Sequence, residues 1–521
     1  MSTTATRLTS RASPQDLRIS GAEKIFLIII CALYLVVAIR SAYLRPFWFD
    51  ELSTLFISST PTLREMFHAI PTDGNPPLYF LLARPFLHLP IRTELALRLP
   101  AVFAYLFAAW TIYCFVRRDT SRVFASLAMG MFLASFSHGY AIEARAYSLL
   151  MAFTGLTLCC WQAYCYSRKS VYLCGVSAGI LGAIFSHNYG VIYALLPLFV
   201  GEAVRSIRRR AIDPLLICVA GVSVPALLTT IPPTLQGQRI LLKAIRDCPN
   251  FLASPHLSHL KIYATMVPPL FLPLILLAVL ALLLKLAASK SQDAQNATSH
   301  IPIEHMAVAV TLSLFLPLML IVTHFGTKFF QPRYGLGSAM GLSMLAGFLL
   351  SRMNWRHARQ LAWTAAVYSF AVGFLTLWLR AIPRTTLPWS DPVLYSGNSI
   401  EPIVIANPLN FSSTWWYSSN AMRGRLHYLE DLNYATQYSN VVPEFSLALE
   451  HDYTPMQLDD YHSFLNQHQH FLLYCSGDPR LEWIKQRLPN EGWHLTPLRS
   501  AKLEPPGEEG QFYRELYEVT R

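Results

Sequence analysis

The stretch Ile25–Leu44, IFLIIICALYLVVAIRSAYL, and the cluster Trp48-Phe49-Asp50-Glu51 that follows it decide the fold class of this chain. The stretch is apolar and has the roughly 20 residues that a helix needs to cross a bilayer. It is too long for a cleavable signal peptide and lacks a small-residue cleavage site before Arg45-Pro46, so we expect a signal anchor. The two adjacent carboxylates then lie at the level of the lipid headgroups, although acidic residues also favour an ordinary first helical turn.

The composition of the whole chain indicates a polytopic membrane protein. Of its 521 residues, 53% are hydrophobic and only 14% are charged. The net charge of +11 does not indicate nucleic-acid binding, because the basic excess is confined to one half of the chain. Before Arg380 there are 31 Lys and Arg residues against 14 Asp and Glu, and from Arg380 onward there are 11 against 17. We therefore expect the basic residues to set membrane orientation, and we expect no nucleic-acid partner.

Eleven apolar segments are candidate membrane spans. They cover approximately residues 25–44, 95–116, 123–137, 148–166, 171–186, 188–204, 214–233, 263–286, 306–324, 334–350 and 361–379. The five loops assigned to the cytoplasmic side hold 14 Lys and Arg residues, and three short loops on the other side hold three. Because basic loops stay in the cytoplasm, this asymmetry predicts a cytoplasmic tail at residues 1–24 and an extracytoplasmic end after the last span. The expected location is the cell inner membrane or plasma membrane.

Two regions outside the predicted spans have structure of their own. In the first outer loop, residues 45–94, apolar residues recur at helical spacing after Leu52 and again after Leu63, which predicts two short amphipathic helices on the membrane surface. After Leu379 the chain is polar. Short strands are predicted there at Pro402–Ala406, Phe471–Tyr474 and Phe512–Val519, and a helix at Pro479–Leu488. The sequence therefore predicts an α-helical polytopic membrane protein with about 11 transmembrane helices over residues 25–380 and a small extracytoplasmic α/β domain over residues 381–521.

Five polar clusters all fall in the predicted outer loops. They are Trp48-Phe49-Asp50-Glu51, Asn75-Pro76-Pro77-Leu78-Tyr79, Glu143-Ala144-Arg145-Ala146-Tyr147, Ser186-His187-Asn188-Tyr189 and Gln331-Pro332-Arg333-Tyr334. In this order they resemble the motifs of the GT-C superfamily of polyprenyl-phosphate-sugar-dependent glycosyltransferases, in particular the protein O-mannosyltransferases and the lipid A aminoarabinose transferase. The resemblance covers about residues 25–380 and does not extend to the C-terminal segment. Asn75 stands where the superfamily usually has His.

The resemblance implies an enzyme that catalyses the attack of an acceptor hydroxyl group on the anomeric carbon of a sugar carried on a lipid phosphate. Such a reaction needs a base near the acceptor hydroxyl. Asp50 is the candidate base, with Glu51 positioning it or helping to hold a cation. Glu143 is expected to join Asp50 at the sugar or at a metal ion, unless it only forms an ion pair with Arg145 that caps the fourth span.

Cations are expected where the phosphate departs. Arg145, Lys328 and Arg333 are the candidate phosphate ligands, the two arginines because a guanidinium group can bind an oxyanion through two hydrogen bonds. The alternative for Lys328 and Arg333 is that they reach toward lipid headgroups. If a metal ion takes part, Asp50 and Glu143 are its candidate ligands, and their oxygen atoms suit Mg²⁺ or Mn²⁺.

Polar and aromatic side chains of the same clusters are candidates for substrate binding. They are Asn75, Tyr79, Tyr147, His187, Tyr189 and Tyr334. Three of these tyrosines, Tyr147, Tyr189 and Tyr334, could equally belong to an interfacial aromatic belt. His187 could simply be a satisfied residue of a tight hairpin between two spans.

The leading hypothesis is an integral-membrane inverting glycosyltransferase that moves a sugar from a polyprenyl-phosphate donor to an extracytoplasmic glycolipid, polymer or protein. The main alternative is a transporter or lipid flippase with a periplasmic binding domain. Transporters place ionisable residues near the bilayer midplane and have repeated halves, whereas this chain has its acidic clusters in outer loops and no internal repeat. A catalytically inactive binding protein is a third alternative, which the intact Asp50, Glu143 and Arg333 disfavour.

Overall fold

Helices make up the membrane half of the chain. The computed structural model describes residues 21–230, 255–266, 301–352, 391–395, 400–438, 443–476, 478–502 and 513–521, and also residues 364, 367, 371, 373–375, 378 and 379. The helices before residue 380 include α1 (Gly21–Leu44), α2 (Phe49–Ser59), α3 (Leu63–Asp73), α4 (Leu78–Phe86), α5 (Thr93–Asp119), α6 (Arg122–Leu133), α7 (Tyr147–Ser167), α8 (Val171–Ser186), α9 (Gly190–Arg209), α10 (Pro214–Ala220), α11 (Tyr263–Met266), α12 (Ile303–Ser313), α13 (Phe315–Phe325) and α14 (Gly337–Arg352). Short 3₁₀ helices at Phe136–Ile142 and Pro332–Gly335 precede α7 and α14.

Several of these helices are long and apolar enough to cross a membrane. In the part of the chain that the structure describes they are Glu23–Leu44, Thr93–Asp119, Tyr147–Ser167, Gly190–Arg209 and Pro332–Arg352. Two bent pairs, α6 with Phe136–Ile142 (66°) and α12 with α13 (54°), add two more if each pair is one span. All of them coincide with predicted spans, and a multi-pass membrane protein is confirmed. The predicted spans 263–286 and 361–379 and the end of 214–233 lie largely outside the described residues.

The bend between α12 and α13 follows from Pro317. A proline has no backbone N–H, and its ring collides with the carbonyl group four residues earlier, which here belongs to Ser313. Ser313 is the last residue of α12, and Pro317 lies in the first turn of α13, where a proline is tolerated.

The first outer loop contains the two short helices that the spacing predicts. α3 begins with a capping box, in which Thr62 Oγ1 accepts a hydrogen bond from Glu65 N at 3.2 Å and Glu65 Oε2 accepts one from Thr62 N at 3.2 Å. α3 exposes Leu63 and Phe67, as expected for an amphipathic surface helix. The prediction that α2 also lies on the membrane surface is wrong, because nearly all of its side chains are buried.

The C-terminal domain is a mixed sheet with short helices, which confirms the predicted α/β class. Its strands are β1 (Ile403–Ile405), β2 (Leu426–Glu430), β3 (Gln457–Asp460), β4 (His470–Cys475), β5 (His494–Lys502) and β6 (Tyr513–Thr520). Its helices are α15 (Pro392–Tyr395), α16 (Pro408–Tyr417), α17 (Asn420–Arg423), α18 (Leu432–Tyr438), α19 (Pro443–Glu450), α20 (Tyr461–Gln467) and α21 (Trp483–Asn490). The strand order is β3-β2-β1-β4-β6-β5, with parallel pairing from β3 to β4 and antiparallel pairing at β6 and β5.

Half of the strands of this domain have no clear signal in the sequence. β1, β4 and β6 overlap the predicted strands, and α21 overlaps the predicted helix. β2, β3 and β5 are strands that the sequence analysis missed. β3 reads Gln-Leu-Asp-Asp, so its single apolar residue shows no alternation, and the strand forms through its backbone pairing with β2.

The C-terminal domain packs directly on the first outer loop. The ring of Phe56 in α2 lies edge-on to that of Trp415 in α16, with centroids 6.4 Å apart. The Tyr417 hydroxyl group donates a hydrogen bond to Glu94 Oε1 at the start of α5, at 2.8 Å. The turn of α2 that carries Asp50 therefore lies between the membrane half and the C-terminal domain, which explains why α2 is buried.

Candidate active site

A fully buried ion pair fixes the start of α2. Arg98 of α5 donates through Nε to Glu51 Oε1 at 2.7 Å and through Nη2 to Glu51 Oε2 at 2.5 Å, and both side chains are 1% exposed. Ala144 N donates to the same Oε1 atom at 2.7 Å, and Arg98 also donates to the carbonyl group of Ala42. Glu51 therefore connects α2 to α5 and to the segment before α7, and through Arg98 also to α1. These contacts are those of a residue that supports the fold.

Asp50, next to Glu51, has a partly exposed carboxylate between two guanidinium groups. Arg333 Nη1 donates to Asp50 Oδ2 at 3.0 Å, and Arg145 Nη2 lies 4.0 Å from the same oxygen. The side chains of Asp50 and Arg333 are 20% and 17% exposed. The fold thus brings together three predicted site residues from three separate motifs and leaves two of them accessible.

The two arginines, Arg145 and Arg333, differ in how many of their guanidinium nitrogens have hydrogen-bond partners within the protein. Arg145 Nη1 donates to Asp73 Oδ2 at 2.6 Å, to the Asp50 carbonyl oxygen at 3.1 Å and to Thr54 Oγ1 at 3.2 Å. Arg333 instead has a buried Nε atom with no hydrogen-bond partner among the described residues. Arg333 is therefore better placed than Arg145 to bind an additional anion.

Glu143 is a buried carboxyl group close to this cluster. Burial raises the pKa of Glu143 to about 7, the charges of Glu51 and Asp50 raise it as well, and Arg45 and Arg333 lower it. Its Oε2 atom has no hydrogen-bond partner within the described part of the chain. The alternative expectation, an ion pair with Arg145, is not what the structure shows, because Arg145 pairs with Asp73. Glu143 can therefore change its ionisation near neutral pH.

Aromatic rings line the site beside Arg333. His187 lies between Tyr147 and Tyr189, with ring centroids 5.2 and 5.5 Å away, and Tyr189 meets Tyr334 at 4.9 Å. The guanidinium carbon of Arg333 lies 5.5 Å from the centroid of the Tyr147 ring. Burial lowers the pKa of His187 to about 3, so its imidazole is neutral. Four of the six predicted substrate-binding residues therefore form one continuous aromatic wall.

The other predicted residues lie elsewhere or act indirectly. Asn75 Nδ2 donates to Asp73 Oδ1 at 2.5 Å, so Asn75 supports the partner of Arg145. Tyr79 is buried, and its hydroxyl group donates to the carbonyl oxygen of Leu97 at 2.9 Å, which joins α4 to α5. The Lys328 side chain is exposed and makes no hydrogen bond or ion pair among the described residues.

The described residues show no cluster of metal ligands around Asp50 and Glu143, the two candidate ligands. They include no group of three or more His, Cys, Asp or Glu side chains that could hold one. Mg²⁺ keeps near-octahedral oxygen coordination and is commonly anchored by one or two carboxylates. Here the Asp50 carboxylate is paired with Arg333, and Arg145 adds a second positive charge beside it. The dependence on Mg²⁺ or Mn²⁺ therefore stays a prediction from the sequence.

Three residues of the site were missed by the sequence analysis. Asp73 lies two residues before Asn75 and shows no pattern of its own. Arg98 does carry a signal, because it is an ionisable residue inside a predicted apolar span, where such residues are costly and usually paired. Glu450 comes from the C-terminal domain, where it accepts a hydrogen bond from Ser53 of α2, and no local pattern in the sequence predicts that contact.

Comparison with known proteins gives similarity in structure only. No protein-family model and no curated protein matches the sequence. Two solved structures of ArnT from Cupriavidus metallidurans match over 95% of this chain and 98% of theirs. The structure of the apo state has 13% sequence identity and a TM-score of 0.52. The structure with bound undecaprenyl phosphate has 14% identity and a TM-score of 0.55. The chain therefore has the GT-C-like fold of ArnT over nearly its whole length, including the C-terminal domain.

Proposed function

We propose that this protein is an integral-membrane glycosyltransferase of the GT-C type that takes its sugar from a polyprenyl-phosphate carrier. The observation that carries the proposal is the accessible Asp50 carboxylate held between Arg333 and Arg145. The fold shared with ArnT, which has been solved with undecaprenyl phosphate bound, supports a polyprenyl phosphate as the lipid partner. The acceptor class stays open between a glycolipid, a polymer and a protein.

Arg333 would bind the phosphate of the donor. Its side chain is 17% exposed, and its buried Nε atom has no hydrogen-bond partner among the described residues. A lipid phosphate that forms a bidentate contact with Arg333 competes with Asp50 for the same cation. Donor binding would therefore release the Asp50 carboxylate and make it available to the acceptor. As the glycosidic bond breaks, charge accumulates on the phosphate, and Arg333 stabilises the transition state more than the ground state.

Asp50 would then act as the general base. The acceptor hydroxyl oxygen forms a bond to the anomeric carbon, its proton passes to Asp50, and the bond between the anomeric carbon and the phosphate oxygen breaks. The products are the glycosylated acceptor, with inverted anomeric configuration, and the polyprenyl phosphate. The transition state of such a transfer has oxocarbenium character, so an ionised Glu143 nearby would stabilise its positive charge. The aromatic wall of Tyr147, His187 and Tyr189 offers apolar faces for the sugar ring.

The orientation follows from the loop charges. The excess of basic residues in one set of loops argues for a cytoplasmic N-terminus and an extracytoplasmic site. A cysteine placed near Arg209 should react only with reagents applied from the cytoplasm, and one near Asp460 only with reagents applied from outside. Labelling of the Asp460 site from the cytoplasm would reverse the proposed orientation.

The proposed reaction can be tested with full-length protein in nanodiscs. The assay supplies a radiolabelled polyprenyl-phosphate sugar and an envelope extract as acceptor, and it measures labelled acceptor and released polyprenyl phosphate. Asp50→Asn should abolish both products, and Asp452→Asn, whose side chain is 93% exposed in the C-terminal domain, is the matched control. Movement of the donor across a proteoliposome membrane with no labelled product would favour the flippase alternative instead.

A further inference from the structure

The end of α19 brings a buried carboxyl group of the C-terminal domain to α2. Glu450 is 2% exposed, and Ser53 Oγ donates a hydrogen bond to its Oε1 atom. Ser53 lies three residues after Asp50, on the adjacent turn of the same helix. Three residues after Glu450, the Tyr453 hydroxyl group forms a 2.7 Å hydrogen bond with Thr72 Oγ1 of α3. The C-terminal domain therefore forms hydrogen bonds with both α2 and α3.

The charges of the site surround Glu450. Burial raises its pKa well above the usual range, the Asp73 and Asp50 carboxylates raise it further, and Arg145 lowers it. The raised pKa favours the protonated, neutral form of the carboxyl group. A neutral Glu450 keeps its hydrogen bond with Ser53 without adding a third negative charge beside Asp50 and Asp73.

We propose that Glu450 is a positioning residue of the transfer site, through which the C-terminal domain holds the turn of α2 that carries Asp50. The inference rests on the proposed function. Glu450 acts through Ser53 and does not touch the substrate. The C-terminal domain is on this view a component of the active centre and not a separate binding module.

Two contacts on opposite sides would then fix the start of α2. The ion pair between Glu51 and Arg98 holds it from the membrane half, and Glu450 holds it from the C-terminal domain. Asp50 lies between these two supports, and among the described residues its charged partners are Arg333 and Arg145. Because a displacement of about 1 Å in a reacting group can reduce turnover by about 10²-fold, loss of either support should change the rate.

The test compares two buried glutamates of the same helix. Glu444 is 1% exposed, and its carboxyl group accepts a hydrogen bond at 3.3 Å from the Tyr428 hydroxyl group, which belongs to the C-terminal domain itself. The variants Glu450→Ala, Glu450→Gln and Glu444→Ala are assayed as full-length protein in nanodiscs, with kcat normalised to folded protein. We expect Glu450→Ala to lower kcat by about 10- to 100-fold with little change in the KM for the donor. Glu450→Gln, which preserves the shape and a hydrogen-bonding oxygen, should stay within about threefold of the wild type, as should Glu444→Ala.

Three results would overturn the inference. A wild-type kcat for Glu450→Ala means that the contact does not position Asp50. An equal loss in Glu444→Ala means that only the general stability of the domain matters. A loss in Glu450→Gln as large as that in Glu450→Ala means that the ionisable carboxyl group of Glu450 itself takes part in the chemistry, so that it is not a positioning residue.

A second readout does not depend on transfer. The thermal unfolding of Ser53→Ala, Glu450→Ala and the double variant tells whether the two side chains interact in solution, because coupled residues give non-additive Tm shifts. Additive shifts in an active protein overturn the positioning role alone. A wild-type protein that shows non-additive shifts but transfers no sugar from any polyprenyl-phosphate donor overturns the proposed function and, with it, the positioning role.

Discussion

Asp50 and Glu51 are adjacent in the sequence and carry the same charge, but the structure gives them opposite surroundings. Glu51 is 1% exposed, and its two oxygens accept hydrogen bonds from Arg98, from Ala144 N and from Trp48 N. Asp50 is 20% exposed, accepts a hydrogen bond from Arg333 and has room for a further partner. Successive residues of a helix do not face the same way, so one carboxylate points into the protein and the other toward the site.

The difference separates a structural carboxylate from a candidate catalytic one. A carboxylate whose acceptor positions are filled by protein donors holds helices together, and a substrate hydroxyl cannot reach it. A carboxylate with one strong partner and partial exposure can exchange that partner for a substrate. The same contrast applies to the arginines, since Arg98 is saturated and Arg333 is not.

The largest effect is expected from Asp50→Asn. Asparagine keeps the shape of the side chain and an oxygen that can face Arg333, but it is not basic. Turnover should fall by about 10²- to 10⁴-fold, the typical contribution of general-base catalysis, with an unchanged Tm. The measurement is sugar transfer from a polyprenyl-phosphate donor in nanodiscs. Retention of more than about a tenth of wild-type turnover would falsify the assignment of Asp50 as the base.

Glu51→Gln should instead damage the fold. Both oxygens of Glu51 accept from N–H donors, so the amide group of glutamine would face a donor in either orientation and leave Arg98 without an anion. Breaking a buried pair in this way costs about 3–5 kcal/mol. Thermal unfolding in detergent measures the loss, with Glu65→Gln at the exposed capping box of α3 as a control of small effect. A Tm equal to that of the wild type would show that Glu51 does not act as a structural support.

Arg333→Ala should lower turnover by about 10²- to 10³-fold, because it removes a cation placed at the departing phosphate. Arg333→Lys should restore only part of the rate, since lysine cannot form the bidentate contact. Donor binding is measured separately by equilibrium titration with a polyprenyl phosphate. If Arg333→Ala leaves both turnover and donor binding unchanged, the phosphate binds elsewhere. In that case Arg333 is no better placed than Arg145 to bind the donor, despite its unpartnered Nε atom.

Local sequence patterns predicted the elements that are long or regular. The apolar run before Leu44 became α1, the helical spacing after Leu63 became α3, and the polar clusters in the predicted outer loops included Asp50 and Arg333. These features depend on residues within a few positions of one another or on hydrophobic length. Such information is present in any short window of the sequence.

Contacts between distant parts of the chain could not be predicted in this way. Arg98 lies 47 positions from Glu51, and Glu450 lies 397 positions from Ser53. Nothing local distinguishes a carboxylate that will be saturated by such partners from one that will stay accessible. The sequence predicted Asp50 as the base and Glu51 as a residue that positions it or helps to hold a cation, and only the fold shows that Glu51 is buried against Arg98 whereas Asp50 stays partly exposed. The burial of α2 has the same origin, because the C-terminal domain that covers it follows hundreds of residues later.

The pH dependence of turnover tests Glu143, the third carboxylate. Its pKa is raised to about 7 by burial, so it is protonated below that pH and ionised above it. If the ionised form stabilises the positive charge at the anomeric carbon, kcat should fall by about tenfold for each pH unit below 7 and level off above it. Glu143→Gln should lower the plateau and remove this dependence. A wild-type profile that keeps the same shape in Glu143→Gln would assign the titration to another group.

The smallest effect is expected from Lys328→Ala. Lys328 and Arg333 share one outer loop and were both predicted to bind the phosphate, but the Lys328 side chain is exposed, whereas Arg333 lies against Asp50 and Tyr147. An exposed lysine interacts with a distant charge through water and is screened by salt, so its contribution is at most about 1 kcal/mol. Lys328→Ala should therefore change turnover by less than about fivefold, and the change should shrink as the ionic strength is raised from 50 to about 500 mM. Alanine tolerates the left-handed backbone of Lys328, at φ 59°, about as well as lysine does, so the Tm should not move. A loss as large as that in Arg333→Ala, and insensitive to salt, would mean that this loop closes over the donor and brings Lys328 to the phosphate.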